Sequence, residues 1–417
     1  MVLSRLLAVL SVCCLAGAEL GSFDIPCPLA PRLCLGAAPG SSALLTAPAP
    51  TGDDADRIGA ADLPFNDTMA YVHKILQETI EVEHSTIPLY LTSLFSIVNS
   101  SNFAGATLHS VVIEEMLHMT TACNMLNAMG GAPAIDSPVF IPVYPLRLPM
   151  INVTADIRRF DAASVANFML IESTTALSKS IAACYEYVLS IVQKLSEEYG
   201  EPAVFTGNYS YQVQASAMGP TGLQTAGKIG NLSEARVALL GVSDQGGGCP
   251  VPGEEQLWPG VSNISAGPLG GNLSHYARFA QVAAGRAYGP ADHVAGPGFP
   301  PTGRNVSTDW THVYAFAPNP RVADFANHSA AHGAALSFAA NYTALLAQLH
   351  DVFNGAPQNY FKTLAGMHAL TGMARDLMTT DDPRKPPAAA VGIGPTWEYV
   401  PSASRFAARG MKARPIV

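Results

Sequence analysis

Two glutamates and a histidine occupy helix positions where carbon is expected. Leu76, Ile80, Glu83, Ile87, Tyr90 and Leu94 fall on one helical stripe, so Glu83 points toward the core. A second stripe, Leu108, Val111, Val112, Glu115, His118, Met119, Ala122 and Leu126, carries Glu115 and His118 on its buried side. A buried carboxylate is costly unless it is paired or binds a metal. Glu115 and His118 are three residues apart, so their side chains converge on one point. A Glu from a facing helix plus a Glu-x-x-His pair is the half-site of di-iron carboxylate bundles. Carboxylate oxygens and an imidazole without thiolates suit iron or manganese and argue against structural zinc. The competing reading is a Glu–His ion pair that only ties two helices together, and Glu81-Val82-Glu83-His84 contains a chance copy of the same spacing.

The neighbouring acids read differently. Glu81 shares a face with Gln77, Glu78, His84 and Ser85, which reads as solvated, and Glu114 lies nearer Thr107, Ser110 and Thr121. Tyr90 lies on the same stripe as Glu83, two positions along it, suited either to donating a hydrogen bond to the site or to plain packing.

These residues require long helices to hold them. Helical periodicity covers about 66–99, with Pro88 a kink site, and about 104–129, stopped by Gly130-Gly131. A third helix is expected from Asp161 to about Tyr199, with Leu170, Leu177, Ile181, Cys184, Val188, Ile191 and Leu195 inward. Shorter helical stretches follow at about 233–242 and 273–287, then two at about 321–353 and 357–379. Insertions rich in Pro and Gly fall at about 132–160, 201–232, 245–272 and 289–320. The sequence thus predicts an all-α domain over 64–380, followed by an irregular tail over 381–417.

Residues 1–18 read as a signal peptide: Arg5, an apolar run from Leu6 to Leu15, and Ala16-Gly17-Ala18 as a cleavage site. Residues 19–63 form an Ala/Pro-rich leader. Sequons begin at Asn66, Asn99, Asn152, Asn208, Asn231, Asn263, Asn272, Asn305, Asn327 and Asn341. With the leader they predict a secreted chain, or one in a secretory lumen, carrying N-linked glycans. Of the seven cysteines, Cys27 and Cys34 are a plausible local disulfide, and Cys123 and Cys184 read as buried free thiols. A net charge of -9 supplies no basic face for nucleic acid or an anionic membrane surface. The apolar run Ala330 to Leu349 is interrupted by His332, Asn341 and Gln348, so no membrane-spanning helix is expected.

LQETIEVEHSTIPLYLTSLFSI followed by VVIEEMLHMTTACNMLNAMGGAP resembles the ferritin-like domain of the iminophenyl-pyruvate dimer synthase family, which couples indolepyruvate imines in violacein- and rebeccamycin-type pathways. FIPVYPLRLP, SDQGGG, LSHYARF, FNGAP and GIGPTWEY extend the resemblance over roughly 67–400. It implies a ferritin-like helical bundle with long Pro/Gly-rich insertions, Glu83, Glu115 and His118 as metal ligands, and oxidative chemistry on a small amino-acid-derived substrate. His275, retained in LSHYARF, would complete the site. This chain departs from the family pattern at Ala183, and at Gly247 in Asp244-Gln245-Gly246-Gly247-Gly248, where acidic groups of a second half-site are expected. One ion is therefore expected rather than two. Glu172 and Glu186 are substitutes, but both share a face with Lys179 that reads as solvated. The alternative function is a degenerate ferritin-like scaffold, a secreted binding or structural glycoprotein without catalysis.

Overall fold

The structure is a computed structural model that describes residues 63–148, 153–173, 181–214, 227–247, 273–289, 292, 298–386 and 389–401. The expected signal peptide, most of the leader, Cys27, Cys34 and Cys249, and the sequons at Asn152, Asn263 and Asn272 lie outside the described residues.

The two long helices form as their stripes require. Helix α1 spans Phe65–Ser96 and runs through Pro88 without a break. Helix α2 spans Phe103–Ala128. Asn102 caps α2 by accepting a hydrogen bond from the Gly105 N–H at 2.8 Å. Its C-terminus closes in a Schellman pattern: Gly131 N–H bonds the Leu126 carbonyl at 2.9 Å, and Gly130, at φ 85°, bonds that of Asn127 at 3.2 Å. Most of α2 is buried, apart from a strip through Ala106, His109 and Ile113 in its first half, which makes it the central helix of the bundle. It packs against α1 along its length.

After α2 the Pro-rich connector forms a short antiparallel hairpin, β1 (Leu146–Leu148) with β2 (Val153–Ala155). The expected third helix is described as two. Helix α3 spans Ala162–Ile171 and starts with an Asp161/Ser164 capping box; α4 spans Ile181–Tyr199. Glu172 is the C-cap of α3, with residues 174–180 outside the described ones. Leu170, expected inward, is instead 55% exposed, because α3 ends there and does not share one stripe with α4.

A short helix α5 (Glu201–Val204) precedes α6 (Leu232–Gly247) and α7 (His275–Ala284). Two longer helices follow, α8 (Ala330–Phe353) and α9 (Tyr360–Thr379). Residues 321–328, expected to belong to α8, precede its cap at Ser329. Helices α4 and α6 pair, α3 pairs with α7, and α8 pairs with α9 against α1. The described residues after α9 pack onto the bundle: Ile393, Thr396 and Trp397 are buried, and the Trp397 indole N–H donates to Thr92 Oγ1 at 2.8 Å; residues 402–417 lie outside the described ones.

Cys123 and Cys184 are buried thiols that take part in no disulfide. Among the described residues, no helix is long and apolar enough to cross a membrane.

Candidate metal centre

The facing stripes of α1 and α2 bring their acidic groups together. Glu83, Glu115 and His118 are all buried, and His118 Nδ1 lies 3.7 Å from Glu83 Oε2. Helix α7 adds His275 at its first position, fully buried, with its ring stacked 5.3 Å from that of His118. Glu115, His118 and His275 offer ligand atoms within 4.8 Å of one another. The fifth group is Glu172. It reads as solvated in the sequence, but the end of α3 turns it inward, where one oxygen lies 3.5 Å from His275 Nδ1. Glu186, the other expected substitute, is exposed on α4 and accepts a hydrogen bond from Ser243 instead.

A second ring of side chains orients these groups. Thr86 Oγ1 donates to Glu115 at 2.9 Å, and Tyr185 Oη donates to Glu83 at 2.7 Å. Tyr90 Oη donates to Glu172 through a short hydrogen bond. Burial, then the Glu172 carboxylate, pushes the Tyr90 phenol up, so it stays protonated and acts as donor. Burial, then Glu83, does the same to Tyr185. Tyr185 was not singled out in the sequence; its place on the inward stripe of α4, one residue after Cys184, was the available signal.

Glu114 is a correction. Its sequence neighbours suggest a separate polar face, and Ser110 is indeed close, but Arg278 from α7 covers that face and buries it. Arg278 donates to Ser110 at 3.3 Å and to Glu114 at 2.8 Å. The other Glu114 oxygen sits 3.0 Å from His275 Nε2. Burial raises the Glu114 carboxyl, but His275 and Arg278 outweigh it and hold it down at about 2. An ionised carboxylate only accepts, so Nε2 of His275 carries the hydrogen and a neutral ring presents a bare lone pair at Nδ1. A carboxylate that fixes the tautomer of a ligating histidine in this way is a recurrent metal-site arrangement. The face of Glu81 is corrected too: Glu78, His84 and Ser85 are buried, because the connector covers them and Tyr144 Oη donates to the Ser85 carbonyl.

The His275 Nδ1 tests whether a cation fits. It lies 2.8 Å from Glu115 Oε1 and 3.5 Å from Glu172 Oε2, and pairs with them when the ring is protonated. A buried nitrogen facing two carboxylate oxygens is a donor arrangement that a divalent cation satisfies in place of that proton. Three buried carboxylates also repel. Burial and then the Glu172 charge push Glu115 up to about 7. Burial pulls the His118 imidazolium down, and the hydrogen bond and charge of Glu83 more than reverse it. Burial likewise opposes the His275 charge, and Glu114 and Glu115 carry its pKa well above the usual value. The cluster therefore needs positive charge, as protons or as a metal ion. Three carboxylates and two imidazoles fit iron or manganese.

A helical bundle with a buried carboxylate–histidine cluster drawn from α1, α2, α3 and α7 defines a class. The chain belongs to the ferritin-like family: a family model described as "Ferritin-like" matches residues 76–284, half of the chain. The crystal structure of a ferritin-like protein from Caulobacter vibrioides is similar in fold, with a TM-score of 0.50 at 19% identity, covering 79% of this chain and 97% of that one. No curated protein matches the sequence.

The departure at Ala183 falls on α4, and that at Gly247 falls at the end of α6. Glu172 supplies a carboxylate to the cluster that neither position offers.

Proposed function

We propose that this chain is a secreted, N-glycosylated metalloprotein of the ferritin-like family that holds iron or manganese at Glu83, Glu115, His118 and His275, with Glu172 as a further ligand. The observation that carries this reading is the buried convergence of Glu115, His118 and His275, whose ligand atoms lie within 4.8 Å of one another, with the Glu83 and Glu172 carboxylates beside them. One ion is the occupancy proposed, because the acidic groups expected for a second half-site are replaced at Ala183 and Gly247. The activity proposed is metal-dependent oxidation, of the oxidative condensing kind suggested by the resemblance to iminophenyl-pyruvate dimer synthases, on a small amino-acid-derived substrate.

A bound iron ion would supply redox chemistry toward dioxygen, and either metal would supply Lewis acidity. The chain's own residues do the rest. Glu114 and Arg278 fix the His275 ring; Thr86, Tyr90 and Tyr185 hold the carboxylates in place. Phe168 and Phe279 pack against Tyr90 and keep water from that side of the cluster.

Exposure of the sequon asparagines supports the glycan reading. Asn66, Asn99, Asn208, Asn305, Asn327 and Asn341 are exposed, and Asn231 is partly so.

The deciding experiment is elemental analysis of the secreted chain beside a Glu83→Ala/Glu115→Ala double variant. Near-stoichiometric iron or manganese, lost in the variant, is expected, followed by dioxygen consumption with candidate amino-acid-derived substrates. A wild-type chain that takes up no metal on reconstitution overturns the reading. It leaves the scaffold alternative, which the ion pairs His118–Glu83 and His275–Glu114 favour as a purely structural lattice.

A further inference from the structure

A cavity of about 50 Å³ lies where α1 and α2 meet the α8–α9 pair. It is separate from the metal cluster but shares its two central helices. His84, Met116 and Met119 line it, and each follows a member of the cluster by one residue: Glu83, Glu115 and His118. One residue is roughly 100° of rotation about a helix axis, so the cavity flanks the cluster on an adjoining face of the same pair.

Its wall is almost wholly carbon and sulfur, with a few polar atoms that are mostly spoken for. The Thr120 and Tyr360 hydroxyls bond each other at 3.1 Å. Tyr342 Oη bonds His84 Nε2 at 2.7 Å. That leaves His84 Nδ1, which is buried and has no hydrogen-bond partner. An unsatisfied buried polar atom costs about 1–3 kcal/mol. A lone water serves poorly here, because it needs two to four polar partners.

We propose that this cavity binds a small, mainly aromatic molecule whose one hydroxyl group meets His84 Nδ1. The aromatic edges of Tyr342, Tyr360 and Trp397 suit a flat ring. Met116, Met119 and Met367 are unbranched thioethers that re-pack readily, so the wall widens to admit a ring. A hydroxyl both donates and accepts, so it satisfies Nδ1 whichever ring nitrogen of His84 carries the hydrogen.

Phenol and toluene are the probes, titrated calorimetrically into the full secreted chain with metal loaded and with metal chelated. They have the same shape and differ by the hydroxyl. Phenol is expected to bind about tenfold more tightly than toluene, the worth of one buried hydrogen bond. The preference is expected to vanish in His84→Phe. Both ligands are expected to weaken at least tenfold in Leu346→Trp or in Met367→Trp, the second being the safer plug because Met367 is only partly buried. Circular dichroism checks that each variant keeps its helices. Equal affinity for the two probes, or binding undiminished by a folded plug variant, overturns the proposal. Phenol binding that needs the metal also overturns it, since that places phenol at the cluster. Binding by the metal-free chain upholds the proposal even if the metal reading fails.

Discussion

Glu114 is outside the group of three that offers ligand atoms, yet by holding Nε2 of His275 it turns Nδ1 toward Glu115 and Glu172. Glu114→Gln keeps the size of the side chain and removes the charge. Outer carboxylates of this kind are worth 10–100-fold in metal affinity. A chelator-competition titration is expected to show a loss of about that size, with all ligating residues still present; unchanged affinity would mean that Glu114 serves only Arg278. His84 gives a second test at the same scale. Burial lowers its pKa from 6.5 to about 3, so the folded chain keeps it neutral while the unfolded chain protonates it below 6.5. The phenols nearest to it, Tyr342 and Tyr144, are pushed up by burial and stay neutral throughout that range. His84 therefore costs nothing above pH 6.5 and destabilises progressively as pH falls from 6.5 toward 3. In urea titrations of metal-free protein, His84→Phe is expected to reduce the acid slope of stability by up to about 1.4 kcal/mol per pH unit. An unchanged slope would show that His84 is not held neutral.

At the scale of elements, α2 matters most because it carries Glu115 and His118 and is buried over most of its surface. Its start is fixed by two features. Asn102 caps it, and Gly105 has no room for a side chain, since a Cβ there would lie 2.2 Å from the Ser100 carbonyl oxygen. Asn102→Ala is expected to cost about 1 kcal/mol by chemical denaturation. Gly105→Ala is expected to cost more, because the backbone of Ser100 must move. Much of this element level was legible in the sequence: the Gly130-Gly131 stop, the Asp161 cap and the stripes of α1 and α2 are local signals. The break between α3 and α4 was not, because both flanks carry helical periodicity and only the inward turn of Glu172 reveals it.

At the scale of the whole molecule, the cluster ties α1 and α2 to α3 and α7, which lie far along the chain. A cation bound to the folded chain alone stabilises it by mass action, by about 2.7 kcal/mol at a free concentration of 100 times Kd. Chelation of the loaded protein is expected to lower the thermal midpoint followed by circular dichroism, and Glu115→Ala is expected to abolish the difference. A midpoint that ignores chelation would return the cluster to a structural role. The α8–α9 pair and the described residues after it pack against α1 and α2. Their contribution is carbon, and it creates the second cavity beside the metal cluster.

By itself the sequence determined the helical class, the inward direction of Glu83, Glu115 and His118, and the donor chemistry, because a period near 3.6 residues reports which way a side chain faces along its own helix. The resemblance added His275. Only the tertiary structure decided that His275 meets Glu114, 161 residues away, that Arg278 buries that carboxylate, and that Tyr185 reaches Glu83 across 102 residues. The physical reason is that local periodicity says nothing about partners brought in by another helix. A glutamate that looks solvated on its own helix wheel becomes buried when a distant element with a matching charge packs over it, and that pairing is a property of the fold.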